Sequence, residues 1–138
     1  MSDAPISPPL RVLHVDDDHT MRLMTKTALL RSSTPFEVES CSSGKEALEK
    51  IIAFAPDVLL VDMLMPILDG ISLIKKIRLL PEGRGKNIPV IFITGKDHVQ
   101  IEERHEIEPI LGIITKPFSP TQLGNDLANF VKAYKEGL

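Results

Sequence analysis

Four short runs dense in Val, Ile and Leu constrain this chain more than any other feature: Arg11–Val15, Asp57–Val61, Pro89–Ile93 and Ile110–Thr115. Within them apolar residues follow one another without alternating with polar ones. That is the pattern of strands covered on both faces, as in parallel sheets. Phe36–Cys41 (FEVESC) does alternate, and so belongs at a sheet edge with one face wet. Five strands result. The segments between them carry helical spacing: Met21, Met24 and Ala28; Ala47, Leu48, Ile51, Ile52 and Ala55; Leu73, Ile74, Ile77 and Leu80; and Leu123, Leu127, Phe130 and Tyr134. Ser43 with Glu46 reads as a capping box, and so does Ser119 with Gln122, with Pro120 at the first helical position. Strands alternating with helices imply right-handed crossovers and an α/β parallel sheet with helices on both faces.

Two segments carry weaker signals. Asp97–Glu108 offers only Val99, Ile101 and Ile107 as apolar anchors, so its helix is expected to be lightly packed. Pro81–Asn87 (PEGRGKN) reads as a mobile loop. Met1–Pro9, with three prolines and no apolar run, is expected to be a flexible lead and neither a signal peptide nor an anchor. Residues 10–138 form the domain. A length of 138 residues suits one hydrophobic core. The net charge of −3 supplies no basic field for a nucleic-acid backbone. A lone cysteine, Cys41, excludes an internal disulfide and suits a reducing, cytoplasmic setting. No apolar stretch has the length of a membrane span.

In an open parallel sheet, ligands bind beyond the carboxyl ends of the strands. The chain places Asp16, Asp17 and Asp18 after the first strand, Asp62 after the third, Thr94 after the fourth and Lys116 after the fifth. Crowded carboxylates repel one another unless a cation neutralises them, and hard oxygen ligands suit Mg²⁺. A carboxylate such as Asp62 is then able to act as a nucleophile toward phosphorus. A divalent ion stabilises the charge of a transferring phosphoryl group, Lys116 adds a point charge and Thr94 a hydroxyl donor.

These motifs, VLHVDDDHTMR, DVLLVDMLMPILDG, PVIFITG and ITKPF in that order, resemble the response-regulator receiver domains of two-component signalling systems, from about Leu10 to Tyr134. The resemblance implies a flavodoxin-like, doubly wound five-stranded sheet of order 2-1-3-4-5. It implies Asp62 as phosphoacceptor, and Asp17, Asp62 and the backbone carbonyl of Leu64 as Mg²⁺ (or Mn²⁺) ligands, with Asp16 bound through water. Thr94 matches the switch hydroxyl. Lys116 matches the phosphate-contacting lysine, whose bond to Pro117 is cis in the family. Expected partners are a sensor histidine kinase or histidine phosphotransfer protein and a downstream effector, with a phosphorylation-dependent dimer as a further option. Signalling would pass through the fourth helix, fifth strand and fifth helix. Ile113 replaces the family's aromatic switch residue, and Gly95, Leu64 and Lys96 flank the site where other members differ.

Simpler roles compete at several positions. Asp18 is expected to cap a helix instead of binding metal, and Asp69-Gly70 to be only a turn. His14 should be a hydrogen-bonded core residue. His19 borders the acidic pocket, His98 and His105 should be solvated, and Met21, Met24, Met63 and Met65 should pack. Three rival functions remain. A flavin or nucleotide module is disfavoured by acids where a phosphate loop would stand. A phosphohydrolase with an aspartyl nucleophile is disfavoured because the chain has no room for a cap domain. The third is an interaction module that takes no phosphate. The chain itself is read as a signalling domain and not a turnover enzyme, either standing alone or belonging to a larger regulator or hybrid kinase.

Overall fold

The computed structural model describes residues 8–95 and 104–137. Strands β1 (Leu10–Val15), β2 (Phe36–Cys41), β3 (Val58–Asp62), β4 (Val90–Thr94) and β5 (Ile110–Thr115) alternate with helices α1 (His19–Leu30), α2 (Gly44–Phe54), α3 (Gly70–Arg78), α4 (described over Arg104–Ile107) and α5 (Pro120–Glu136). All strand pairs are parallel, in the order β2-β1-β3-β4-β5. This is the doubly wound order that the resemblance implied, with the alternating strand β2 at one edge as its pattern predicted.

Each strand splits its side chains between two cores. Val12, Val38, Leu60, Ile91, Ile93 and Ile114 meet Ala28 and Leu29 of α1 and Leu123, Leu127 and Val131 of α5. Leu13, Val15, Leu59, Val61, Val90 and Phe92 meet α2, α3 and Ile107 of α4. Period-two alternation on strands buried on both sides explains why their sequence reads as unbroken apolar runs. Phe130 lies against Gly112 so closely that a Cβ at that glycine would stand 2.5 Å from the ring.

Several local expectations change. α1 buries Thr25, Ala28 and Leu29, whereas Met24 is 46% exposed. The stripe is rotated because α1 also packs along α5, where Ala28 and Leu29 share a core with Leu123, Leu127 and Val131. At α5, Ser119 occupies the N-cap position but its side chain makes no cap hydrogen bond; its hydroxyl meets Thr121 Oγ1 at 3.1 Å instead. At α2, Ser43 Oγ does accept from Glu46 N at 3.1 Å, but the Glu46 carboxylate returns to Ser42 N, one residue before the expected position. Within Pro81–Asn87, expected to be a mobile loop, one residue is held against α3 while the rest are exposed. Gly85 is buried against Ile77, and its carbonyl accepts from Arg78 Nη1 at 2.8 Å.

Arg78 is the hub of that end of the molecule. Its guanidinium donates to the carbonyls of Ile88 (2.6 Å), Ile107 (2.9 Å from Nη2) and Pro109 (3.4 Å) as well as Gly85. One side chain thus ties the end of α3 to the loop before β4 and the segment between α4 and β5. Met1–Ser7, Lys96, His98, Val99, Ile101 and the first part of the Asp97–Glu108 helix lie outside the described residues.

Candidate phosphoacceptor and metal site

The carboxyl ends of β1, β3, β4 and β5 meet at one rim. β3 and β4 each run one residue further than the apolar pattern suggests, so Asp62 and Thr94 are themselves the last strand residues. Ladder bonding therefore fixes their backbones: Met63 N donates to Ile93 O at 3.0 Å and Lys116 N to Thr94 O at 2.7 Å. Asp62 is 5% exposed and Thr94 2%.

The turn after β1 is held by a chain of short-range bonds. Asp16 N donates to Cys41 O at 3.1 Å, and Asp18 N donates to Asp16 Oδ1 at 2.9 Å. Asp18 is the N-cap of α1, accepting from Met21 N at 2.9 Å, which is the role expected for it. Asp16 is fully buried and Asp17 exposed, so the two adjacent acids present one carboxylate at the floor and one at the rim.

Carboxylate oxygens of Asp16, Asp17 and Asp62 all lie within 4.8 Å of one another. Lys116 Nζ stands 3.5 Å from Asp62 Oδ2 and 3.8 Å from Asp16 Oδ2. Burial pushes the Asp16 carboxyl above its ordinary pKa. The Asp62 and Asp17 charges push the same way, against the Asp18 N–H bond and Lys116. Its Oδ2 is buried without a hydrogen-bond partner among the described residues. Three converging carboxylates, one with an unsatisfied buried oxygen, are a donor set that fits a hard divalent ion. Leu64 N donates to Asp62 Oδ1 at 3.2 Å, which curls the loop after β3 back over the acid and leaves the Leu64 side chain 65% exposed. The Lys116–Pro117 peptide is cis, as the resemblance implied.

The loop Met63–Asp69 returns through two features that sequence reading undervalued. Asp69-Gly70 is more than a turn: Asp69 is the N-cap of α3, accepting from Ser72 N at 2.8 Å, and Gly70 is its first residue. A Cβ at Gly70 would lie 2.5 Å from the Asp62 carbonyl oxygen, so this glycine allows α3 to start directly against the end of β3. Ile67, fully exposed, takes a φ of 70°, which is strained for a β-branched residue.

His14 departs from expectation. It is fully buried, as anticipated, but neither ring nitrogen has a hydrogen-bond partner among the described residues. Burial, with Arg22 and Lys116 adding repulsion, lowers its pKa to about 3, so the ring is neutral. In register it lies beside Leu60 on one neighbouring strand and Ser40 on the other, and the Ser40 Oγ is likewise unpartnered among the described residues. His19 approaches Arg22 through Nδ1 at 3.4 Å, and His105 is exposed. Met63 and Met65 are buried in the core, whereas Met24 is only half-covered. Cys41 is buried, and its thiol is pushed up to about 12, first by burial and then by Glu46.

Comparison with known proteins agrees with this architecture. The family profile described as Response regulator receiver domain matches residues 12–128. The response regulator MprA of Mycobacterium tuberculosis is 36% identical over 90 residues, 65% of this chain and 36% of that protein. The sensor histidine kinase TmoS of Ectopseudomonas mendocina is 29% identical over 121 residues, 88% of this chain and 12% of that one. The chain thus spans well under half the length of these curated relatives. A crystal structure of the Vibrio cholerae chemotaxis protein CheY4 superposes with a TM-score of 0.75 at 29% identity, covering 89% of this chain and 99% of that one. Among the described residues, no helix is long and apolar enough to cross a membrane.

Proposed function

The chain belongs to the response regulator receiver domain family, and we propose that it works there as the phosphoacceptor of a two-component relay, with Asp62 taking a phosphoryl group from a phosphohistidine on a partner protein. The observation that carries this reading is the meeting of Asp16, Asp17, Asp62 and Lys116 at one strand-end rim.

In this reading an Asp62 carboxylate oxygen attacks phosphorus in line. The new P–O bond forms as the P–N bond to the imidazole breaks, and the electron pair of that bond returns to the ring nitrogen, which takes up a proton. Asp17, Asp62 and the Leu64 carbonyl would hold Mg²⁺ or Mn²⁺ directly, and Asp16 through water. When bound, the ion supplies charge stabilisation to the phosphoryl oxygens. Lys116 already stands at the Asp62 carboxylate, ready to pair with a phosphoryl oxygen. Thr94 offers its hydroxyl from the neighbouring strand end. Its movement toward the phosphoryl group would shift a pre-existing equilibrium at α4, β5 and α5. Ile113 is half-buried on β5, so the shift would proceed by aliphatic repacking instead of rotation of an aromatic ring.

Partners in this reading are a histidine kinase or histidine phosphotransfer protein upstream and an effector downstream. The match to a stretch of a sensor histidine kinase, beside the match to response regulators, also favours a second setting, as the receiver portion of a larger regulator or hybrid kinase. The domain promotes its own phosphorylation and hydrolysis without turning over an external substrate, and operates in the cytoplasm. The test is incubation with acetyl phosphate and Mg²⁺ followed by intact mass measurement. A gain of one phosphoryl group that requires the metal and is lost in Asp62→Asn is expected; equal labelling of Asp62→Asn would overturn the assignment.

A further inference from the structure

We propose that Arg22 is a positioning residue for the divalent-cation site, pinning the peptide between Asp16 and Asp17 so that the Asp17 carboxylate faces the ion. This rests on the metal-dependent phosphoacceptor reading given above.

The geometry is local and closed. β1 ends at Val15, and the next three residues are all acidic. Asp16 is fixed through both its backbone N–H and its side chain, and Asp18 through its N-cap bond. Asp17, between them, is exposed, so its direction depends on the backbone it stands on. Arg22 reaches back from the first turn of α1 and donates through Nη1 to the Asp16 carbonyl at 2.8 Å, while its own N–H takes the Asp18 carbonyl at 2.9 Å. The Asp16 carbonyl and the Asp17 nitrogen share one rigid peptide plane. With Asp18 fixed on the other side, holding that oxygen restricts both backbone rotations of Asp17 and so the direction in which its side chain leaves the chain. The second arm, Nη2, lies 3.4 Å from His19 Nδ1, which orients the planar fork.

Charge and geometry act in opposite directions here, which makes the role measurable. A fixed cation beside a metal site repels the metal, so removing it should tighten binding if charge alone matters. A positioning role predicts weaker binding after the same change, and residues that orient metal ligands typically contribute roughly 10–100-fold in affinity.

The experiment titrates Mn²⁺ into the metal-free protein and reads the free ion by electron paramagnetic resonance, for the wild type, Arg22→Gln, Arg22→Lys and the control Asp17→Asn. Each variant is first shown by thermal unfolding to be folded at the working temperature. Binding by Arg22→Gln is expected to weaken by roughly 10-fold or more, and Arg22→Lys should fall well below the wild type despite keeping its charge. Unchanged or tighter binding in folded Arg22→Gln would overturn the proposal. If Arg22→Gln does not fold, wild-type affinity in Arg22→Lys overturns it instead. Should the wild type bind no Mn²⁺, the metal reading fails and this proposal with it. If only Asp17→Asn loses binding, the metal reading stands and the role of Arg22 is refuted.

Discussion

The ammonium of Lys116 lies 3.5 Å from Oδ2 of Asp62, and both side chains are largely covered by the surrounding strand ends. A cation thus stands against the Asp62 carboxylate, offsetting part of the repulsion among three acids. In Lys116→Ala that offset is lost. Stability without metal should fall by about 1–2 kcal/mol, below the range for fully buried pairs because Lys116 is 24% exposed. Mg²⁺ should restore more of the loss than it adds to the wild type, as read from urea unfolding with and without the ion. Equal Mg²⁺ effects on both proteins would contradict this account.

Gly70 should tolerate no side chain. Ala is the better helix former by about 1 kcal/mol, yet its Cβ would enter the space of the Asp62 carbonyl oxygen. Gly70→Ala is therefore expected to destabilise by about 1–3 kcal/mol and to weaken Mn²⁺ binding, because relief requires moving the backbone of Asp62 itself. Denaturant midpoints and the Mn²⁺ titration check both effects.

His14 gives the molecule a defined response to acid. Its pKa is lowered from 6.5 to about 3 in the fold, so between those values the unfolded chain takes up a proton that the folded chain refuses. The neutral ring's contribution is complete above about pH 6.5 and is lost as pH falls toward 3, at up to about 1.4 kcal/mol per pH unit. His14→Leu should flatten this part of the stability profile, as measured by urea unfolding at closely spaced pH values. Parallel profiles for the two proteins would contradict the burial argument.

Arg78 should be the costliest surface-proximal residue to replace. Removing it leaves the carbonyls of Gly85, Ile88, Ile107 and Pro109 without their shared donor. Arg78→Ala is expected to lose about 3 kcal/mol or more, and Arg78→Lys to recover less than half of that, since an ammonium cannot span the fork. Amide hydrogen exchange should rise around Ile107–Pro109 in both variants.

Ile67 offers the opposite sign. Its φ of 70° strains a β-branched residue, and its side chain is fully exposed. Ile67→Asn places a residue tolerant of that conformation there and should stabilise the protein by about 1 kcal/mol. A lowered unfolding midpoint would show that the side chain has a packing role.

The sequence by itself determined the elements and their chemistry. Unbroken apolar runs marked doubly covered strands, the alternating FEVESC run marked the edge strand β2, and acids, Thr94 and Lys116 after those runs marked the rim. These are local patterns, because strand periodicity and end position are properties of a few neighbouring residues. Asp18 as N-cap was legible for the same reason. Tertiary structure alone decided what each group meets. That Thr25 of α1 turns inward and Met24 outward follows from packing against α5. That Ser119 turns to Thr121, and that His14 stands in register with Leu60 and with a Ser40 hydroxyl likewise unpartnered among the described residues, follows from strand register and side-chain rotation. The hold of Arg78 on the Gly85 carbonyl, and the reach of Arg22 to the Asp16 carbonyl, required the folded backbone to bring carbonyls within a guanidinium's span. Arg22 follows Asp18 by four residues, which was a visible spacing. Its partner, however, is a backbone oxygen, and no side-chain pattern along the chain records where a carbonyl points.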